Sequence, residues 1–264
     1  MASTVGKAFL RDRGTGFTLI ELMIVVAVIS IIAAVAIPNM LRSRMAANEV
    51  SCIGCLKTIS TQQAIFSQQE EVDQDGDGNG EFGWLSELCG EICPRKAAGT
   101  PNPQPVNPAY LSQGFAAGGS AGTGFTEKAG YFFRLYLAIT SPTGAANDAG
   151  DDRSADGTVV AWGTPLNLAA ESWAINLQEN SFVCQAWPGE LNSTGSRCFI
   201  INEIGQVYGS KMANTTYSGV SVEMANYGAC FSASGDGSDG WWNDRLASGA
   251  SDVGNDGNLY NPME

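Results

Sequence analysis

One apolar run near the start of the chain restricts everything that follows. From Phe17 to Ile37 the sequence reads FTLIELMIVVAVISIIAAVAI, and Glu21 is its one charge. A helix of about 20 apolar residues spans the hydrocarbon of a bilayer, and this run has that length. The preceding residues, MASTVGKAFLRDRGTG, hold three basic side chains and one acid. Positive flanks stay in the cytoplasm, so residues beyond Pro38 are expected on the opposite side of the membrane. A secretory signal peptide has a shorter apolar core, with a small-residue cleavage site after it. Here the run is longer and the small residue, Gly16, comes before it. A plain signal anchor fits the length and the flanks. It gives no reason to hold a carboxylate four residues into the run, where an ionisable group is costly and points to a partner.

Helical periodicity continues beyond the membrane length. Met45, Cys52, Leu56, Ile59 and Phe66 fall on one face of a helix, which is expected to pack on a sheet and to fade near Gln69 to Glu71. Pro38 lies inside the helix. Proline removes one backbone hydrogen bond and crowds the preceding turn, so a kink or local melting is expected there.

The residues Gly16-Phe17-Thr18-Leu19-Ile20-Glu21 resemble the prepilin peptidase site of the type IV pilin superfamily, which includes the pseudopilins of type II secretion. The likeness extends from residue 14 to about 45. It implies cleavage between Gly16 and Phe17 and N-methylation of the new Phe17 amine. It also implies that Glu21 is the fifth residue of the mature chain, the acidic position of the family. A buried carboxylate needs a positive partner, and in a filament the nearest is the Phe17 amine of a neighbouring subunit. Pro38 matches the helix proline of the family. The fold implied is α+β, with a long helical spine packed on an antiparallel sheet.

After the spine, Asp73-Gln74-Asp75-Gly76-Asp77-Gly78-Asn79-Gly80-Glu81 alternates carboxylates with glycines. Alternation lets Asp73, Asp75 and Asp77 converge on a hard cation, and Gly78 permits the sharp turn. The order matches the first half of an EF-hand loop, with Asn79 and Glu81 as further ligand candidates. It departs at the twelfth position, where Trp84 replaces the bidentate Glu. A Ca2+ loop of partial EF-hand likeness is expected. Major pseudopilins, which the chain resembles, also carry a stabilising Ca2+, although theirs lies in the carboxy-terminal sheet region. Asp148, Asp151, Asp152 and Asp156, and likewise Asp236, Asp239 and Asp244, read mainly as surface turns.

The rest of the chain reads as a cysteine- and proline-rich connection followed by strands. Strands are expected at 130–138, 158–162, 172–177, 182–187, 198–202 and 206–210, with a hairpin turn through Asn202-Glu203-Ile204-Gly205. The organisation is therefore a leader at 1–16, a transmembrane helix at 17–38 and an amphipathic half-spine at 39–70. A long loop follows at 71–129, a sheet at 130–210 and a loop-rich region at 211–264, where Trp241 and Trp242 are expected to pack on the sheet.

Seven cysteines in an exported chain point to disulfides, with one thiol left over. Cys52 and Cys55 stand one helical turn apart in poor geometry for a bond to each other. Pairing across to Cys89 and Cys93, and of Cys184 with Cys198, is expected, leaving Cys230. A four-cysteine zinc site is the weaker alternative.

The chain has no histidine and a net charge of −13. The first fact removes His-based zinc sites and Ser-His-Asp chemistry. The second argues against nucleic acid as a partner of the acidic region. No nucleophile-base pair or phosphate loop is visible, so no enzyme is expected. The expected role is a structural filament subunit, either pilin or pseudopilin. Its partners would be like subunits, the prepilin peptidase, the assembly platform and the inner membrane. Its place would be the inner membrane first and a surface or periplasmic filament afterwards. The competing reading is a membrane-anchored or minor surface binding module that does not polymerise.

Overall fold

A computed structural model describes residues 16–95, 104–115, 125–139, 148–150, 172–219, 254, 256 and 258–263. The chain divides into two units, residues 1–43 and 44–264. One helix, α1 (Leu19–Gln68), contributes to both.

Within the first unit α1 exposes its apolar side chains. Ile20, Ile24, Ile31 and Ile37 are all more than half exposed. A helix apolar all round needs an apolar surrounding to cover it. The stretch is long and apolar enough to cross a membrane. The helix runs through Pro38 without interruption. The expected local melting is therefore absent: Pro38 fits within the spine, leaving only the Ala34 carbonyl without its usual donor.

Within the second unit the face of α1 is buried as expected at Cys52, Leu56, Ile59 and Phe66, while Met45 is half-buried. The same face buries two polar residues, Glu49 and Gln63. Gln63 Nε2 donates to the Gly83 carbonyl at 2.6 Å, and its Oε1 accepts from the Gly83 N–H at 2.9 Å. Glu49 is paired with Arg197 at 2.6 Å and also accepts from Ser196. The helix ends where the sequence pattern fades. Glu70 adopts a φ of 50°, and its N–H donates to the Ser67 carbonyl.

The sheet is antiparallel throughout. It contains β1 (Thr126–Lys128), β2 (Tyr131–Ile139), β4 (Val183–Pro188), β5 (Cys198–Asn202), β6 (Val207–Ser210) and β7 (Asn261–Pro262), in spatial order β1-β2-β4-β5-β6-β7. The remaining strand, β3 (Asp148–Gly150), pairs with the far end of β2. Tyr131, Phe133, Leu135, Cys184, Ala186, Phe199, Ile201 and Val207 face α1 and form one core with it. Phe132, Tyr136, Val183, Trp187, Cys198 and Ile200 face the other way, under Phe125, Met212, Tyr217 and Tyr260. Both faces are covered, so β4 and β5 are buried along their whole length instead of alternating with solvent.

Two expectations about strands need correction or fall elsewhere. Residues 172–177 are not a strand but belong to α3 (Ser172–Asn180). Trp173, Ile175 and Leu177 alternate in sequence and imitate a strand. Burial of Ile175 and Gln178, three apart, shows the helical period that prevails. The strand expected at 158–162, the leader to residue 15, Trp241-Trp242, Asp151, Asp152, Asp156, Asp236, Asp239, Asp244 and Cys230 lie outside the described residues.

Candidate functional site

At the amino terminus Gly16, Phe17 and Thr18 precede the helix, and Phe17 is 83% exposed. The Gly16-Phe17 bond thus sits in non-helical chain with an open side chain beside it. Thr18 and Glu21 then cap the helix reciprocally. The Thr18 N–H and hydroxyl donate to Glu21 Oε2 at 2.9 and 2.7 Å, and the Glu21 N–H donates to Thr18 Oγ1 at 3.2 Å. This is a capping box, in which two orphan backbone donors of the first turn are satisfied by each other's side chains. Sequence reading gave Glu21 an intermolecular task and missed this local one. The Thr-x-x-Glu spacing at the head of an apolar run was the available signal.

The loop after α1 is closed at its base. The Glu81 N–H donates to the Val72 carbonyl at 3.1 Å, and the Gln74 N–H donates to Glu81 Oε1 at 2.8 Å. Gly76 and Gly78 take φ of 76° and 88°, which lets the chain turn twice between aspartates. Ligand oxygens of Asp73, Asp75 and Asp77 all lie within 4.8 Å of one another. Asp73 also accepts from Gly76 N–H, and Asp77 from Asn79 N–H and Nδ2. Asn79 therefore supports Asp77 with its side chain. Trp84, at the twelfth position, is fully buried in the core.

Just beyond the loop, Trp84 precedes the single turn α2 (Leu85–Leu88), where Glu87 Oε2 accepts from the Trp84 N–H at 2.8 Å. The buried Arg95 donates from Nε to Glu87 Oε1 at 3.1 Å, and also to Gln178 Oε1 and the Phe82 carbonyl. Phe82 N–H donates to the Gln178 carbonyl at 2.8 Å, and Gln74 Nε2 to Gln178 Oε1 at 3.2 Å. The carboxy-terminal end of α3 is thereby held on the acidic loop.

Cys52, Cys89 and Cys184 share the core facing α1, with Cys55 packed at its margin. Cys198 belongs to the opposite face of the sheet. The β4–β5 register places Cys184 opposite Ile201, not opposite Cys198. The expected Cys184–Cys198 pair therefore conflicts with the strand register, because successive residues of a strand point to opposite faces and Cys198 lies three positions from Ile201. Cys89 donates its thiol to the Ser112 carbonyl at 3.3 Å.

A spine helix with an exposed apolar first half and a buried second half, followed by an antiparallel sheet, is a pilin-like α+β fold. The family model described as the prokaryotic N-terminal methylation motif matches residues 11–37. The type IV major pilin protein PilA of Myxococcus xanthus is 33% identical over 118 residues, which cover 41% of this chain and 54% of that protein. The type IV wide pilus major component PilA4 of Thermus thermophilus is 65% identical over 34 residues, 13% of this chain and 26% of that one. The competence protein ComGC of Halalkalibacterium halodurans is 38% identical over 60 residues, covering 23% and 55%. No solved structure gives a significant match. The methylation motif and these relatives support a likeness to the type IV pilin and pseudopilin superfamily. It spans about half the length of two of these relatives and about a quarter of the third.

Proposed function

We propose that this chain is a structural subunit of a type IV pilus-like or type II secretion filament. The observation that carries the reading is the exposed apolar half of α1, which begins within three residues of Gly16 and holds a single carboxylate. Prepilin peptidase cuts between Gly16 and Phe17, and the new amine is methylated. Before assembly the helix lies in the inner membrane, with the acidic unit on the periplasmic or extracellular side. In the filament the same helices pack on one another, and Glu21 neutralises the Phe17 amine of the next subunit. Like subunits and the assembly platform are the partners. The methylation motif, together with relatives named as major pilins, supports a structural role over catalysis.

The loop of Asp73, Asp75 and Asp77 is read as a Ca2+ site that stabilises the acidic unit. Its donors are carboxylate oxygens at close spacing, the donor type that Ca2+ prefers.

The test is to shear cells, collect the filament fraction and analyse it by mass spectrometry. Abundant peptides from 131–219, with an amino-terminal peptide starting at N-methylated Phe17, are expected. Confinement of the chain to membranes, with no sheared form, would instead favour the anchored binding module.

A further inference from the structure

The acidic loop, taken as a Ca2+ site in the preceding reading, lacks the carboxylate that closes an EF-hand loop. Its twelfth residue, Trp84, is buried in the core and supplies no oxygen. Two other carboxylates lie beside the aspartates of the loop. Glu81 is fully buried, and its Oε1 is fixed on the Gln74 N–H between Asp73 and Asp75. Its Oε2 is buried and has no hydrogen-bond partner among the described residues. Glu179 comes from α3, about a hundred positions along the chain, and its Oε1 is also buried without a partner among the described residues.

The anchoring of α3 explains how Glu179 arrives. Gln178, the preceding residue, is bonded to Phe82, Gln74 and Arg95. Glu179 is thereby held beside the acidic loop, where the negative charges of Asp77, Asp75, Glu81 and Asp73 act on its carboxyl group. Arg95 acts on Glu81, but its guanidinium is already engaged by Glu87, Gln178 and Phe82. Three carboxylates therefore converge with two more beside them, and among the described residues two oxygens of that pair are unsatisfied. Buried carboxylate oxygens left without donors are costly, and a divalent cation satisfies several of them at once.

We propose that Glu179 of α3 is a ligand of the Ca2+ held by Asp73, Asp75 and Asp77, standing in for the carboxylate missing at Trp84, with Glu81 completing the set. The ion then does more than order a loop. It clamps α3 to the segment that follows the spine helix, joining parts of the chain that sequence separates widely. This assignment rests on the loop being a cation site at all, and the experiment separates the two.

Full-length protein in detergent micelles is freed of metal with chelator and titrated with CaCl2 by calorimetry. Three chains are compared: wild type, Asp75→Asn and Glu179→Gln. Wild type is expected to bind one Ca2+, and each variant to bind about tenfold or more weakly, because ligand charge sets affinity in such sites. Absence of binding by wild type overturns the loop reading and the clamp together. Loss in Asp75→Asn with wild-type affinity in Glu179→Gln keeps the loop and overturns the clamp. Hydrogen exchange on wild type needs no variant. Amides of 173–180 should exchange more slowly with Ca2+ than with chelator, and equal rates there would overturn the clamp.

Discussion

Thr18 holds the carboxylate of Glu21 through both its backbone N–H and its hydroxyl. An alanine at Glu21 would therefore remove a helix cap as well as a charge, and a cap alone contributes about 0.5–2 kcal/mol. Glutamine keeps an acceptor oxygen for Thr18 and removes only the charge, so Glu21→Gln isolates the electrostatic part. Gln63 shows a second residue-level dependence. Both ends of its amide serve Gly83 inside the core. Gln63→Leu matches the volume closely and leaves the Gly83 N–H and carbonyl buried without partners. It should cost about 2–3 kcal/mol in denaturant unfolding. A change below about 0.5 kcal/mol would mean that Gly83 finds other partners. Neither Gln63 nor Glu49 was legible from the pattern of the spine. A period-3.6 search scores apolar residues, and these two are polar positions on the apolar face.

The two halves of α1 respond differently to truncation. Leu56 is fully buried against the sheet, whereas Ile29 is 59% exposed. Leu56→Ala should destabilise the second unit by about 2–5 kcal/mol. Ile29→Ala should leave that unfolding transition where it is, and both are read from the same denaturant titration in detergent. Equal losses would contradict the division of labour along the helix. The sheet makes a further prediction. Cys184 and Cys198 lie on opposite faces, so peptide mapping without reduction should find no bridge between them. Finding that bridge would refute the β4–β5 register. Most elements were legible where the signal was strong and continuous. The aromatic run of β2, the apolar run of β5 and the Gly205 turn, with its φ of 78°, fall within a residue or two of expectation. The elements missed are short. β1 has three residues, β3 reads Asp-Ala-Gly and β7 is an Asn-Pro pair. Each depends on a partner strand and not on its own propensity. For α3, alternation over six residues outweighed the helix-forming Ala, Leu, Gln and Glu until tertiary packing decided.

At the scale of the molecule, the candidate sites separate by how local they are. The proposed processing segment is contiguous, from Gly16 to Glu21, so the sequence alone displays it in full. The proposed cation site is half contiguous: Asp73, Asp75, Asp77 and Glu81 stand in one stretch, but the proposed ligand Glu179 comes beside them only through folding. No spacing rule spans about a hundred residues, so sequence reading stopped at Trp84 and the missing twelfth ligand. Charge is divided in the same way. Residues 69–264 carry 24 acidic and 8 basic side chains, a net −16, while residues 1–68, with Lys7, Arg11, Arg13, Arg42 and Arg44 among them, carry a net +3. In the proposed function a membrane or a bundle of like helices covers the apolar half, and the acidic half stays hydrated. The most direct test of the central claim compares wild type with Glu21→Gln, dividing the chain between the membrane fraction and sheared filaments. The account predicts that Glu21→Gln is cut at Gly16 and held in the membrane normally, while its sheared fraction falls about tenfold or more. A wild-type yield of sheared filaments from Glu21→Gln would contradict it.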